Sequence, residues 1–249
     1  MRHLVFWLLA WLLAGSVARA FPTVTDQREW TRAAEAMRVG DHQSALTTYG
    51  ELLKSQGDDS AVVHYNFAVV SYRLKQLGAA VYHFRRAIEL NPRDPDARFN
   101  LQYVRGQALD KIDIKEPERA WIRDYLRLTW RELWIALAAA LVLTFGSAAL
   151  LVYWRRDALL FVRRVALVAA ATLALLAVTK AYGERPFGVV TAREAKVYSG
   201  FGKDHVLLFS LHEGAEFNLE EAMGDWLRIA LEDGKKGWIR ASDVLAQAG

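Results

Sequence analysis

The stretch LWIALAAALVLTFGSAALLVYW at residues 133–154 decides the architecture, because none of its 22 positions carries a charge. At about 1.5 Å of rise per residue, such a helix is about 33 Å long, enough to cross the hydrocarbon core of a bilayer. A second uncharged run, VALVAAATLALLAVT at residues 165–179, reaches spanning length if Arg164 and Lys180 extend their charged ends to the two interfaces. We therefore predict two membrane spans, at residues 133–154 and 165–182.

The segment between the two runs, residues 155–164, is too short to fold alone, so the spans are predicted to form an antiparallel hairpin with a loop at 155–164. Everything before and after the hairpin then lies on one side of the membrane. Four arginines in the loop favour a cytoplasmic position. Four others near the opposite end of the first span balance them, so the charge count alone does not fix the orientation: Arg119, Arg123, Arg127 and Arg131. Their four-residue spacing, among aromatic residues, predicts an interfacial amphipathic helix in the linker 111–132.

The first twenty residues have the layout of a secretory signal. A short basic start precedes an apolar core at residues 4–14, and Ala18-Arg19-Ala20 offers small residues at the cleavage positions. We predict a signal peptide at residues 1–20, or else a retained N-terminal anchor. Either form exports the domain that follows, so both soluble domains are expected outside the cytoplasm and the loop 155–164 inside it.

Between the signal and the first span, YNF at residues 65–67 recurs as FNL at residues 99–101, an offset of 34 residues. Self-similarity at this period is typical of stacked helix-turn-helix repeats. The best unit, residues 61–94, resembles the tetratricopeptide repeat at Phe67, Ala68, Leu74, Ala80, Phe84, Ala87 and Pro92. A weaker unit precedes it, with matching residues at Ala33, Gly40, Ala45, Tyr49 and Leu52.

A third first-helix, beginning at Pro95, completes a predicted tetratricopeptide domain at residues 21–110 with about two and a half repeats. So short a stack is expected to lean on a partner, on the interfacial helix or on the C-terminal domain. In the family, the first helices line a groove that receives a peptide. The resemblance implies these groove residues here: Trp30, Met37, Tyr65, Asn66, Val69, Tyr72, Arg73, Phe99, Asn100 and Tyr103. The same residues could instead be a structural lining without a ligand.

Beyond residue 187, short alternating segments separated by glycine predict five or six strands and a small all-β barrel at residues 187–249. Asp233-Gly234 marks a tight turn between two of the strands. The motifs at residues 195–200, 212–214, 224–226 and 233–239 resemble a bacterial SH3-like domain, some members of which bind peptides or cell-wall material. Tyr198, Trp226 and Trp238 either form an aromatic ligand face or cover the barrel core.

The sequence offers no set of residues that would carry a reaction. It contains no cysteine, no glycine-rich phosphate loop and no Gly-x-Ser-x-Gly motif, and none of its six histidines has a second histidine four residues away. We therefore predict no enzyme, no cofactor and no metal. The net charge of +4 arises beside the spans, where it suits lipid phosphates, so nucleic acid is not an expected partner.

The order of these parts resembles BatE-type proteins of the bacterial Bat (aerotolerance) operon. That resemblance implies a multidomain protein of the bacterial inner membrane, with an all-α tetratricopeptide repeat, a transmembrane hairpin and an SH3-like barrel, both soluble domains being periplasmic. It also implies von Willebrand A-type Bat proteins as partners, in a complex for envelope or oxidative-stress tolerance. The function expected is a scaffold. Two alternatives remain. One is an envelope protein that binds peptidoglycan through the SH3-like domain, and the other is a hydrolase that uses this domain to reach its substrate.

Overall fold

The computed structural model describes residues 24–56, 59–110, 128–154, 156–183, 185–202 and 205–247. The predicted signal at residues 1–20 lies outside the described residues, as does most of the predicted interfacial helix. Within the described part, the chain forms five short helices, two long apolar helices and a seven-stranded antiparallel sheet, in that order. The molecule is therefore an α plus β protein with two helices long and apolar enough to cross a membrane.

The five short helices form the helical unit. Each helix packs against the next one in the chain. Their bounds are α1 Val24–Val39, α2 His42–Gln56, α3 Ala61–Arg73, α4 Leu77–Leu90 and α5 Pro95–Arg105. Small residues lie where the helices approach closely, and the exposed fraction of the side chain is zero at Ala33, Ala45, Ala68 and Ala80. The burial of these alanines agrees with the repeat positions read from the sequence.

Local chemistry explains where these helices begin and turn. The Ser60 hydroxyl accepts a hydrogen bond from the Val63 amide at the start of α3. At the start of α5, the Asp94 carboxylate accepts from the amides of Asp96 and Ala97, and Pro95 occupies the first turn, where its missing N–H costs nothing. Gly40 joins α1 to α2 with φ of +81°, a conformation that favours glycine.

The two long helices are α6, Trp130–Leu151, and α7, Asp157–Gly183. Thr129 and Glu132 form a capping box at the start of α6. The two helices pack against each other, with small residues buried between them: Ala140, Ala166, Ala170 and Ala177. Larger apolar side chains point outward, as Phe145 and Val168 do with 69% and 68% of their surface exposed. An apolar exterior of this kind suits a lipid environment.

The structure changes the predicted hairpin loop. Residues 155–164 were expected as a connector, but α7 already begins at Asp157, so only residues 152–156 join the two helices. The segment from Asp157 to Arg164 contains no Pro or Gly. The negative charge of Asp157 in the first turn interacts favourably with the helix dipole. The second apolar helix therefore has 27 residues and is not marginal in length.

The β-unit follows α7 after three residues. Its strands are β1 Phe187–Val190, β2 Glu194–Tyr198, β3 Leu207–His212, β4 Glu216–Met223, β5 Trp226–Ala230, β6 Lys236–Arg240 and β7 Val244–Ala246. They pair in the order β3-β2-β6-β5-β4-β1-β7. The predicted turn at Asp233-Gly234 does join β5 to β6, and Gly234 has φ of +88°. No strand is predicted at β7, because its three residues are shorter than the alternation that identifies a strand.

Candidate functional surfaces

Four predicted groove residues and Gln107 form a row where α3 and α5 lie side by side. The Asn100 amide donates a hydrogen bond to the Tyr65 hydroxyl at 3.0 Å, and the Tyr72 and Tyr103 rings meet edge-on with centroids 5.9 Å apart. Gln107 donates from Nε2 to the Tyr72 hydroxyl at 2.9 Å. Burial raises the pKa of Tyr65, whereas the hydrogen bond from Gln107 lowers the pKa of Tyr72. Both tyrosines are thus held in fixed positions.

Phe99 lies one turn before Tyr103 on α5 and extends this row. The exposed fractions of Phe99 and Tyr103 are 69% and 54%. We call Tyr65, Tyr72, Phe99 and Tyr103 the aromatic row. Sequence reasoning missed the contribution of Gln107, which lies beyond the end of α5, where the repeat pattern no longer indicates which face a residue occupies.

The other predicted groove residues do not join the aromatic row. The Asn66 amide donates to the Val62 carbonyl of its own helix at 3.0 Å, so it is not held toward a ligand. Arg73 is exposed, and Val69 packs partly into the core below α3. Trp30 and Met37 pack against the first helical core, with the Trp30 ring edge-on to Tyr49 at 5.9 Å. Of the two alternatives, a ligand-binding groove or a structural lining, the second agrees better with the positions of Trp30 and Met37.

The three predicted aromatic residues of the β-unit lie together on its outer surface. Tyr198 is opposite Trp238 in the register of β2 and β6, and its ring meets Trp226 edge-on at 5.7 Å. Phe201, which the sequence did not single out, adds a ring 5.5 Å from Trp238. All three predicted residues are half-buried, and none belongs to the buried core cluster of the β-unit. They therefore form an aromatic face with partly accessible rings.

The helical unit and the β-unit share one apolar core. Phe187 and Val189 of β1 are fully buried in the same cluster as Ala80, Phe84 and Leu101 of the helices. At Gly78 the two backbones touch, because a Cβ atom built there would lie 2.2 Å from the Val190 carbonyl oxygen. The expectation that the short helical stack leans on a neighbour is met by the C-terminal domain, which closes the stack from the side of α4.

A buried carboxylate joins the same two units. Glu216 at the start of β4 is 6% exposed and accepts hydrogen bonds from two arginines of the helical unit. Arg105 approaches it with both Nε and Nη2, at 2.5 and 2.8 Å, and Arg85 with Nη1 at 2.8 Å. Bidentate pairs of this kind fix orientation as well as adding energy. A second link joins the Asp110 carboxylate to the backbone amide of His212 at 2.6 Å.

Two histidines face each other inside the helical unit. Nδ1 of His64 lies 2.8 Å from Nδ1 of His83, so one ring carries its proton at that nitrogen and the other accepts it. Burial, the neighbouring His64 and Arg86 together lower the pKa of His83 to about 3. Its ring also packs on Phe67 at 4.0 Å. Both rings are enclosed within the helical unit, out of reach of a substrate, so we assign the pair a packing role.

Among the described residues, no group of three or more histidine, aspartate or glutamate side chains could hold a metal ion. The described chain also borders an open depression along α1, lined by Gln27, Arg28, Thr31, Arg32 and Glu35. It contains none of the predicted site residues. The aromatic row and the aromatic face are therefore the surfaces on which a function can be argued.

Comparison with known proteins gives no further information about these surfaces. No known protein family matches this sequence, and no curated protein matches it. Among solved structures, an NlpC/P60 family protein from Bacillus cereus ATCC 10987 matches with 24% identity and a TM-score of 0.22. The match covers 27% of this chain and 22% of the other, so this chain spans about a fifth of that protein. A likeness so short and so weak carries no argument about fold or activity.

Proposed function

We propose that this chain is a non-enzymatic, membrane-anchored scaffold that holds the aromatic row beside a bilayer and offers it to partner proteins. The observation that carries the proposal is the row itself. Phe99 and Tyr103 are largely exposed, while hydrogen bonds from Asn100 and Gln107 hold the tyrosines beside them. Large aromatic side chains in fixed, exposed positions provide contact area at low entropic cost, which is how binding surfaces obtain their affinity.

The repeat reading of the helical unit supports a protein partner. The period of 34 residues and the buried alanines at matching positions support the interpretation as tetratricopeptide repeats. The short strands of the β-unit support the interpretation as an SH3-like domain. The resemblance to BatE-type proteins then makes von Willebrand A-type Bat proteins the partners to test first. The setting would be an envelope or oxidative-stress complex.

We infer that both units lie on the same, periplasmic side of the bacterial inner membrane. The support is the packing between them. Glu216 contacts Arg85 and Arg105 although α6 and α7 intervene in the chain, and two spans return the chain to the side from which it left. The helical unit and the β-unit also share an apolar core and the ion pairs of Glu216, so they stand together as one body. A partner would meet a composite surface, and the linker length between modules would not set its affinity.

A photo-crosslinking experiment tests the role of the aromatic row. Benzoylphenylalanine at position 99 is expected to give discrete adducts with envelope proteins in living cells, and Tyr103→Ala should weaken them several-fold. The matched control places the same probe at Val39, which is 62% exposed on α1. Identical adducts from positions 39 and 99 would contradict the proposal, as would adducts unaffected by Tyr103→Ala.

A further inference from the structure

Two arginines, Arg163 and Arg164, lie inside the second apolar helix and not at its end. α7 begins at Asp157, so the two arginines follow its first residue by about 9 to 10 Å along the helix axis. Both side chains are exposed on the surface of the hairpin. Arginine is rare within a membrane span, and where it occurs it is paired or extends toward an interface. The level of the two arginines relative to the bilayer therefore decides what they can bind.

The packing of α6 against α7 fixes that level. At one end of the hairpin the Lys180 ammonium lies 5.7 Å from the Trp130 ring centroid, and at the other end only residues 152–156 join the two helices. Because both helices rise by about 1.5 Å per residue, the two arginines lie level with the part of α6 around Gly146. α6 continues beyond this level without a charged residue.

A membrane boundary at the arginines would leave apolar side chains of both helices in water. Between the arginines and the connection, these side chains are 40% to 79% exposed: Leu150, Val152, Tyr153, Trp154, Leu160, Phe161 and Val162. A boundary at the connection instead places them in lipid, with the Tyr153 and Trp154 rings at the interface, which such rings favour. The long arginine stems then follow the helix toward the same interface. The two arginines are thus attached to the span below the headgroups.

The hairpin offers these arginines no counter-charge at their own level. In the described parts of α6 and α7, the carboxylates are Glu132 and Asp157. Glu132 lies at the opposite end of the hairpin and pairs with Arg93 of the helical unit. Asp157 lies about two helical turns away. It is outnumbered by the arginines of this end, which are Arg155, Arg156, Arg163 and Arg164. A second copy of the hairpin would bring the same excess of positive charge.

We propose that Arg163 and Arg164 bind the phosphate groups of anionic phospholipid, in the leaflet on the far side from the helical unit. This inference rests on the membrane anchor of the proposed function. A guanidinium group is always charged and donates hydrogen bonds to phosphate in a planar, two-pronged geometry. The excess of arginine selects a headgroup without an ammonium group, because a zwitterionic lipid would add a further positive charge at this end of the hairpin.

The test measures lipid retention by native mass spectrometry of the full chain in a neutral detergent. Phosphatidylglycerol and phosphatidylcholine with the same acyl chains are added in equal amounts. We expect the chain to retain at least fivefold more phosphatidylglycerol than phosphatidylcholine. Arg163→Gln with Arg164→Gln should lower the retained phosphatidylglycerol at least fivefold, whereas Arg163→Lys with Arg164→Lys should keep most of it, because an ammonium group still pairs with phosphate.

The charge-matched control is Arg155→Gln with Arg156→Gln, which removes two charges that precede α7. It should change the retained phosphatidylglycerol less than twofold, because arginines outside the apolar helix have water as an alternative to lipid phosphate. Circular dichroism checks that all variants keep the same helix content.

Three outcomes would overturn the inference. The first is equal retention of the two lipids by the unsubstituted chain. The second is an equal loss of phosphatidylglycerol in the Arg163→Gln, Arg164→Gln variant and in the control. The third is a dimer that this variant loses, because a second copy would then be the partner of the arginines. Alkaline carbonate extraction of membranes reports on the anchor separately. A chain that stays in the membrane but retains no anionic lipid leaves the proposed function intact.

Discussion

Glu216 joins the β-unit to the helical unit through two arginines. Replacing Glu216 by glutamine removes the negative charge with which both Arg85 and Arg105 pair at the interface. We expect Glu216→Gln to lower the free energy of unfolding by about 2 to 3 kcal/mol, because two partly enclosed guanidinium groups lose their counter-charge. Chemical denaturation of the purified chain in a mild detergent measures this value.

Glu221→Gln provides the matched control for that prediction. Glu221 is exposed and lies 3.8 Å from Arg228, so its loss should change stability by no more than about 0.5 kcal/mol. Equal effects of the two substitutions would mean that the buried network does not hold the units together. The sequence could not single out Glu216, because its partner Arg105 lies 111 positions away and no local pattern marks the pair.

The contact of α4 with β1 depends on Gly78, a glycine within the helix. Gly78→Ala would place a methyl group 2.2 Å from the Val190 carbonyl oxygen and 2.9 Å from the Thr191 Cα atom, and neither backbone atom can move away alone. We expect faster hydrogen exchange of β1 and α4 amides and a lower melting temperature. Gly50→Ala, whose new Cβ would meet only the Phe67 ring at 3.7 Å, is the control.

Gly50 lies inside α2, where alanine favours the helix by about 1 kcal/mol, so the control should leave stability unchanged or raise it. A Gly78→Ala chain with the exchange rates of the Gly50→Ala chain would contradict the close contact.

The helices could be predicted from periodicity, caps and the 34-residue offset, all of which are visible in the sequence. The start of α7 could not, because the arginines at 163 and 164 suggested a loop although nothing there breaks a helix.

For the molecule as a whole, the sequence pattern predicted helices, two apolar helices and a tail of strands in that order, and packing decided how they combine. The order of residues in the sequence shows two apolar runs, a repeat and a tail of alternating segments. These patterns could not indicate that Phe187 completes a core with Phe84. Nor could they indicate that the aromatic row includes Tyr65 and Tyr103 but not Trp30 and Met37. These contacts join residues far apart in the chain, where periodicity carries no information.

In the proposed arrangement, the helical unit and the β-unit stand together on one face of a membrane, above the hairpin of α6 and α7. The most direct measurement is the labelling of single cysteines by an impermeant maleimide in right-side-out membranes, at the exposed positions Lys54, Asp157 and Glu232. We predict that Lys54→Cys and Glu232→Cys react from outside, whereas Asp157→Cys reacts only after permeabilisation. Labelling of positions 54 and 232 from opposite sides, or of position 157 together with both, would contradict the account.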